Sequence, residues 1–83
     1  MSPELETLDQ LLGGDLPVSV IRDLFGDERQ FARSVTAMLN AGELRLLTGD
    51  GEEVPRWQWR EILNANALGA RLRITQAGAR RIA

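Results

Sequence analysis

The chain has no cysteine, no histidine and no tyrosine, and all ten of its basic residues are arginine, so lysine is missing as well. These absences remove the usual general bases, thiol nucleophiles and Schiff-base amines. Without cysteine there is neither a disulfide framework nor a thiolate zinc site. Ser2, Ser19 and Ser34 lack a residue suited to activate them. Gly13-Gly14 follows no strand pattern and precedes no Lys-Ser/Thr, which excludes a phosphate loop. Asp50, Glu52 and Glu53 crowd one turn but lack the spacing of a calcium loop. The expectation is a protein that is not an enzyme, needs no cofactor and holds no metal. No apolar run approaches the roughly 20 residues of a membrane span. The acidic N-terminus also lacks the basic and then apolar opening of an export signal. A cytoplasmic location is expected.

What the chain does have is a charge pattern. The net charge is −2 over 83 residues. Residues 1–30 carry seven acids and two arginines, whereas residues 55–83 carry six arginines and one acid. Charge divided in this way can turn one face toward a polyanion while the other stays acidic. Each arginine also offers a planar fork suited to phosphate or carboxylate. Hydrophobic residues make up 43%, ordinary for one globular domain, here expected to span 1–83 around a single core.

Helical signals dominate the first half. Ser2 can cap a helix with Pro3 at its first position, and Leu5, Leu8, Leu11 and Leu12 form a stripe that Gly13-Gly14 ends. A second helix lies within 17–25, with Val18, Ile21, Leu24 and Phe25 on its core side and Gly26 closing it. Asp27 stands three residues before Gln30, the spacing of a capping box. The helix it opens places Phe31, Val35, Met38 and Leu39 on one face and Arg29, Arg33, Thr36, Ala37 and Asn40 on the other, until Gly42 stops it.

Strand signals follow. Residues 43–47 alternate, with Leu44 and Leu46 apolar, before the turn at Gly49-Asp50-Gly51. Residues 71–74 alternate as well, placing Arg71 and Arg73 opposite Leu72 and Ile74. Thr75 then caps a short final helix that Gly78 weakens. Between these strands two patterns compete. As a strand, 54–60 puts Trp57 and Trp59 on one face and Arg56, Gln58 and Arg60 on the other. As a helix from Pro55, it aligns Trp59, Ile62, Leu63 and Ala67 and leaves Trp57 exposed. The expected structure is strand to about Arg60, burying at least one tryptophan, then a turn or short helix across 62–68.

Three phrases carry a resemblance: the helix ending at Gly26, the helix ending in Asn40-Ala41-Gly42-Glu43-Leu44, and the return segment Leu72-Arg73-Ile74-Thr75-Gln76-Ala77-Gly78. In that order they resemble the winged helix-turn-helix domains of bacterial transcriptional regulators, over roughly residues 5–82. The chain departs from the pattern in the very short turn at Gly26-Asp27 and in the length of 47–70. The resemblance implies an α+β fold, with three helices on a two- to three-stranded antiparallel hairpin sheet and a short C-terminal helix.

It also implies a duplex-DNA reader, acting as a dimer, with Arg29, Arg33, Thr36 and Asn40 on the reading face. Arginine and asparagine pair with guanine and adenine edges by double hydrogen bonds. On the strand reading, Arg56, Arg60, Arg71 and Arg73 project from a basic hairpin that straddles the phosphate backbone. The rival expectation is a protein-binding module that uses Trp57 and Trp59 together with the acidic N-terminal half.

Overall fold

Local signals set the first helix. Ser2 holds extended backbone and accepts a hydrogen bond from the Leu5 amide at 3.2 Å, Pro3 takes the first helical position, and α1 runs Pro3–Leu11. The computed structural model describes residues 2–64 and 69–83. After α1 come a two-residue strand β1 (Leu16–Pro17), α2 (Val18–Arg22) and α3 (Glu28–Asn40). Then follow β2 (Leu44–Leu47), a 3₁₀ turn at Arg56–Gln58, α4 (Trp59–Asn64), β3 (Arg71–Ile74) and α5 (Gln76–Arg81). Among the described residues the architecture is α+β, with five α-helices and one three-stranded antiparallel sheet in the order β1-β3-β2. No helix among the described residues is long and apolar enough to cross a membrane.

α3 forms as its sequence predicts. Asp27 accepts a hydrogen bond from the Gln30 amide at 2.7 Å, and the helix buries Phe31, Val35, Met38 and Leu39. Its end is a Schellman turn, with the Glu43 amide donating to the Met38 carbonyl and the Gly42 amide to Leu39. Gly42 has φ +74°, a left-handed conformation that side chains disfavour. This turn passes the chain directly into β2, whose Leu44 and Leu46 are buried opposite Ile74 and Leu72 of β3. The expected core is present: Leu8, Ile21, Phe31, Val35, Met38, Leu39, Leu44, Leu46 and Leu72 are buried, with Leu24 and Ile74 packed at its margin.

β1 is not signalled by periodicity. Leu16 pairs with Leu72 and Pro17 with Arg71, and the Val18 amide donates to the Ala70 carbonyl at 2.9 Å. Pro17 has no N–H for a ladder, and the outermost position in the sheet spares it that duty.

The strand expected over 54–60 is not formed, and the helical alternative takes its place. Strand-like pairing stops at Glu53, bridged to Leu47, and Val54, whose amide donates to the Leu46 carbonyl at 2.8 Å. Pro55 then cannot donate, and its fixed φ of −65° starts the 3₁₀ turn. The Trp59 indole N–H donates to the Val54 carbonyl at 3.0 Å, bending the chain back on itself. α4 packs on α3 through Leu63, 2% exposed, with Trp59 and Ile62 half-buried beside it. Neither tryptophan is fully buried, and Trp57 stands 77% exposed. The rest of the expected 62–68 segment, including Ala67, lies outside the described residues.

Candidate nucleic-acid interface

α4 lies along the outer side of α3 and makes a groove with it. From α3 the groove is lined by Glu28, Arg29, Ala32, Arg33, Thr36, Ala37 and Asn40. Arg56, Trp59, Arg60 and Asn64 line it from the turn and α4, around an open volume of about 740 Å³. A second concavity of about 640 Å³ continues from it around the start of α3, where Asp27, Glu28, Arg29, Gln30 and Arg33 meet. Thus Arg29, Arg33, Thr36 and Asn40 do share one surface, as the helical period requires. Arg56 and Arg60 join them there, rather than standing on a hairpin with Arg71 and Arg73.

Arg71 and Arg73 have another task. Arg73 makes a two-pronged contact with the Asp15 carboxylate, at 2.8 Å from Nη2 and 3.0 Å from Nε, and Arg71 donates to the Asp15 main-chain carbonyl at 3.1 Å. These bonds clamp the residue before β1 onto β3. The Arg73 guanidinium holds the Asp15 carboxyl below the usual aspartate range, partly offset by desolvation, and Asp15 in turn raises the Arg73 value. A depressed folded-state value stabilises the fold above about pH 4, and that contribution is lost as pH falls through it. The stability gap between the wild type and Arg73→Ala should therefore be open at neutral pH and close in acid. Urea midpoints across pH 2–7 measure it, and a gap that is constant with pH counts against the clamp.

Other arginines are similarly occupied. Arg45 pairs with Glu53 at 3.0 Å, and Arg81 bridges Glu4 at 3.0 Å and Glu43 at 2.7 Å. Arg22 donates to the Leu63 carbonyl at 2.6 Å with its guanidinium over the Phe31 ring, which ties α2 to α4. Among the described residues, Arg29, Arg33, Arg56, Arg60 and Arg80 make no hydrogen bond or ion pair, and the first four line the same groove. Arg56 does lie over the Trp59 ring, 6.0 Å from its centroid. With Glu28 as the acid on the lining, the groove carries a formal charge of +3 on a chain of −2.

Sequence reasoning missed the union of α3 with α4. The helical pattern from Pro55, which groups Arg56, Trp59 and Arg60 on one side, was the available signal. Comparison with protein-family models, curated proteins and solved structures gives no match.

Proposed function

We propose that the chain is a winged-helix module that binds duplex DNA through the α3–α4 face. The succession of three helices and an antiparallel strand pair supports the fold assignment, with α4 as an insertion between β2 and β3. The observation that carries the functional reading is the grouping of four unpaired arginines on a protein of net negative charge. Buried or paired arginines serve the fold, while uncompensated ones held together repel each other until a polyanion arrives.

Size constrains the docking. The major groove is about 12 Å wide and admits one helix of about 10–12 Å diameter. Two helices side by side, with axes about 8–10 Å apart, do not fit. α3 therefore enters the groove and α4 stays outside, over the flanking strand. Arg56 and Arg60 then meet phosphates from one side while Arg29 and Arg33 meet them from α3. Thr36 and Asn40 stand where base edges pass. One such module makes few contacts, and a dimer on paired half-sites supplies the rest.

The test is fluorescence anisotropy with duplex DNA across a salt series. Affinity should fall by about 0.9 log units per log unit of salt for each neutralised phosphate. Replacing Arg29, Arg33, Arg56 and Arg60 together by alanine should flatten that slope by up to about 3–4 units. Replacing Arg71 should not, because its guanidinium is committed to Asp15. Absence of binding at low ionic strength defeats the reading. The protein-binding alternative has less support, since Trp59 turns inward to Val54 and only Trp57 is freely exposed.

A further inference from the structure

Trp57 is not used by the fold. Its side chain is 77% exposed, and no hydrogen bond or ring contact of Trp57 occurs among the described residues. Exposed tryptophan sacrifices the largest hydrophobic gain a side chain can make. Nor does it sit on a slack loop. Pro55 fixes the entry to the turn, the Gln58 amide donates to the Pro55 carbonyl at 2.9 Å, and the Trp59 indole anchors the next residue but one to Val54. Leu63 buries the far end of α4 against the core. The indole is displayed on a rigid support.

Its surroundings indicate what it meets. Arg56 precedes it, and Arg60 follows one helical turn later on the same side, both on the lip of the cationic groove. Glu61 is the acid of this helix and is also exposed. An exposed ring flanked in the chain by Arg56 and, a turn later, Arg60 matches a ligand with both a flat apolar face and phosphate, which is a nucleotide. A continuous duplex hides its base faces in the stack, and opening one step costs a few kcal/mol. A base that is already unpaired presents its face without that cost.

We propose that Trp57 is a base-stacking residue, so that the α3–α4 face prefers duplex DNA carrying an unpaired base beside it over a continuous duplex. The inference rests on the duplex-binding reading above. α3 and the four arginines hold the duplex and its backbone, and Trp57, beyond the α4 side of the groove, receives the first base past the paired region.

Three probes test it by anisotropy: a blunt duplex, the same duplex with a short single-stranded extension, and the extension strand alone. The extended duplex should bind roughly 5- to 150-fold more tightly than the blunt one, the range that loss of a stacked aromatic produces. In Trp57→Ala the two duplexes should bind alike, while Trp57→Phe should keep part of the preference. In protein labelled with 5-fluorotryptophan, the ¹⁹F resonance of Trp57 should shift with the extended duplex and stay in place with the blunt one.

Equal affinity for the two duplexes, or a preference that survives in Trp57→Ala, overturns the stacking role and leaves duplex binding intact. A single strand that binds as tightly as the extended duplex overturns the junction preference. Failure of all three probes overturns both readings. A Trp57 resonance that moves with polyglutamate and not with the extended duplex makes Trp57 a protein-contacting residue and overturns the stacking role, while duplex binding stands or falls by the anisotropy of the blunt duplex.

Discussion

Replacing Phe31 with alanine is expected to destabilise the protein by about 3–5 kcal/mol. A domain of this length has a total stability of roughly 4–12 kcal/mol, at 0.05–0.15 kcal/mol per residue. The substitution should thus bring the fold to the edge of unfolding. Phe31 is 1% exposed and lies where three elements meet. Phe25 packs edge-on against it, with centroids 5.7 Å apart and planes at 73°, and the Arg22 guanidinium covers it at 5.2 Å. That same arginine donates to the Leu63 carbonyl at the end of α4. Truncating the ring therefore leaves a cavity under α3 and removes the platform on which Arg22 reaches α4. Urea unfolding measures the loss. As α4 loosens, Trp59 should become wetter, so native-state fluorescence should shift to the red alongside the lower midpoint. A loss under about 1 kcal/mol would mean that α3 buries a different face.

The parts of this fold legible in the sequence are those set by neighbours in the chain. The cap at Asp27, the stripe from Phe31 to Leu39 and the stop at Gly42 all lie within one helix, so local rules place it. The grouping of Arg29, Arg33, Thr36 and Asn40 on one side of α3 follows from the same period. β1 escaped because two residues carry no period, and its identity comes from pairing with the distant Leu72 and Arg71.

Residues 54–60 went the other way for a different reason. Tryptophan and arginine alternate there in a manner that suits period two, while Trp59, Ile62 and Leu63 suit a helix equally. The decision rests on Pro55, on the indole bond to Val54 and on Arg22 reaching Leu63. The last of these is a long-range contact. The same shift moved Arg56 and Arg60 from the sheet to α3, and the Asp15 clamp withdrew Arg71 and Arg73 from the candidate site. Which arginine is spare and which is spoken for depends on pairings such as Asp15 with Arg73, and no spacing rule reveals them.

Gly78 gives an expectation whose sign differs between sequence and structure. Glycine inside a helix costs about 1 kcal/mol relative to alanine, so propensity alone predicts that Gly78→Ala stabilises α5. In the folded protein, however, Gly78 is buried, and a Cβ there would lie well inside contact distance of the Glu43 carbonyl oxygen and 2.9 Å from Ile74 Cγ1. The carbonyl cannot withdraw. It accepts the Thr75 amide at 3.0 Å, while the Glu43 amide is fixed by the Schellman turn to Met38. The Thr75 hydroxyl donates to the adjacent Gly42 carbonyl and accepts from the Gly78 amide, holding the first turn of α5 in the same place. Arg81 draws the other end inward through Glu43 and Glu4, the hydrogen bond to Glu4 contributing most to its raised proton affinity. An added methyl group must therefore lift α5 from the α3–β2 turn and loosen this clasp. Forcing a group into a filled site costs about 1–3 kcal/mol, which exceeds the gain in propensity. Gly78→Ala should lower the unfolding midpoint. Amide exchange should also quicken at Thr75 and Ala79, whose N–H groups bond to Glu43 and Thr75. A variant more stable than the wild type would mean that α5 does not rest on Glu43 in solution.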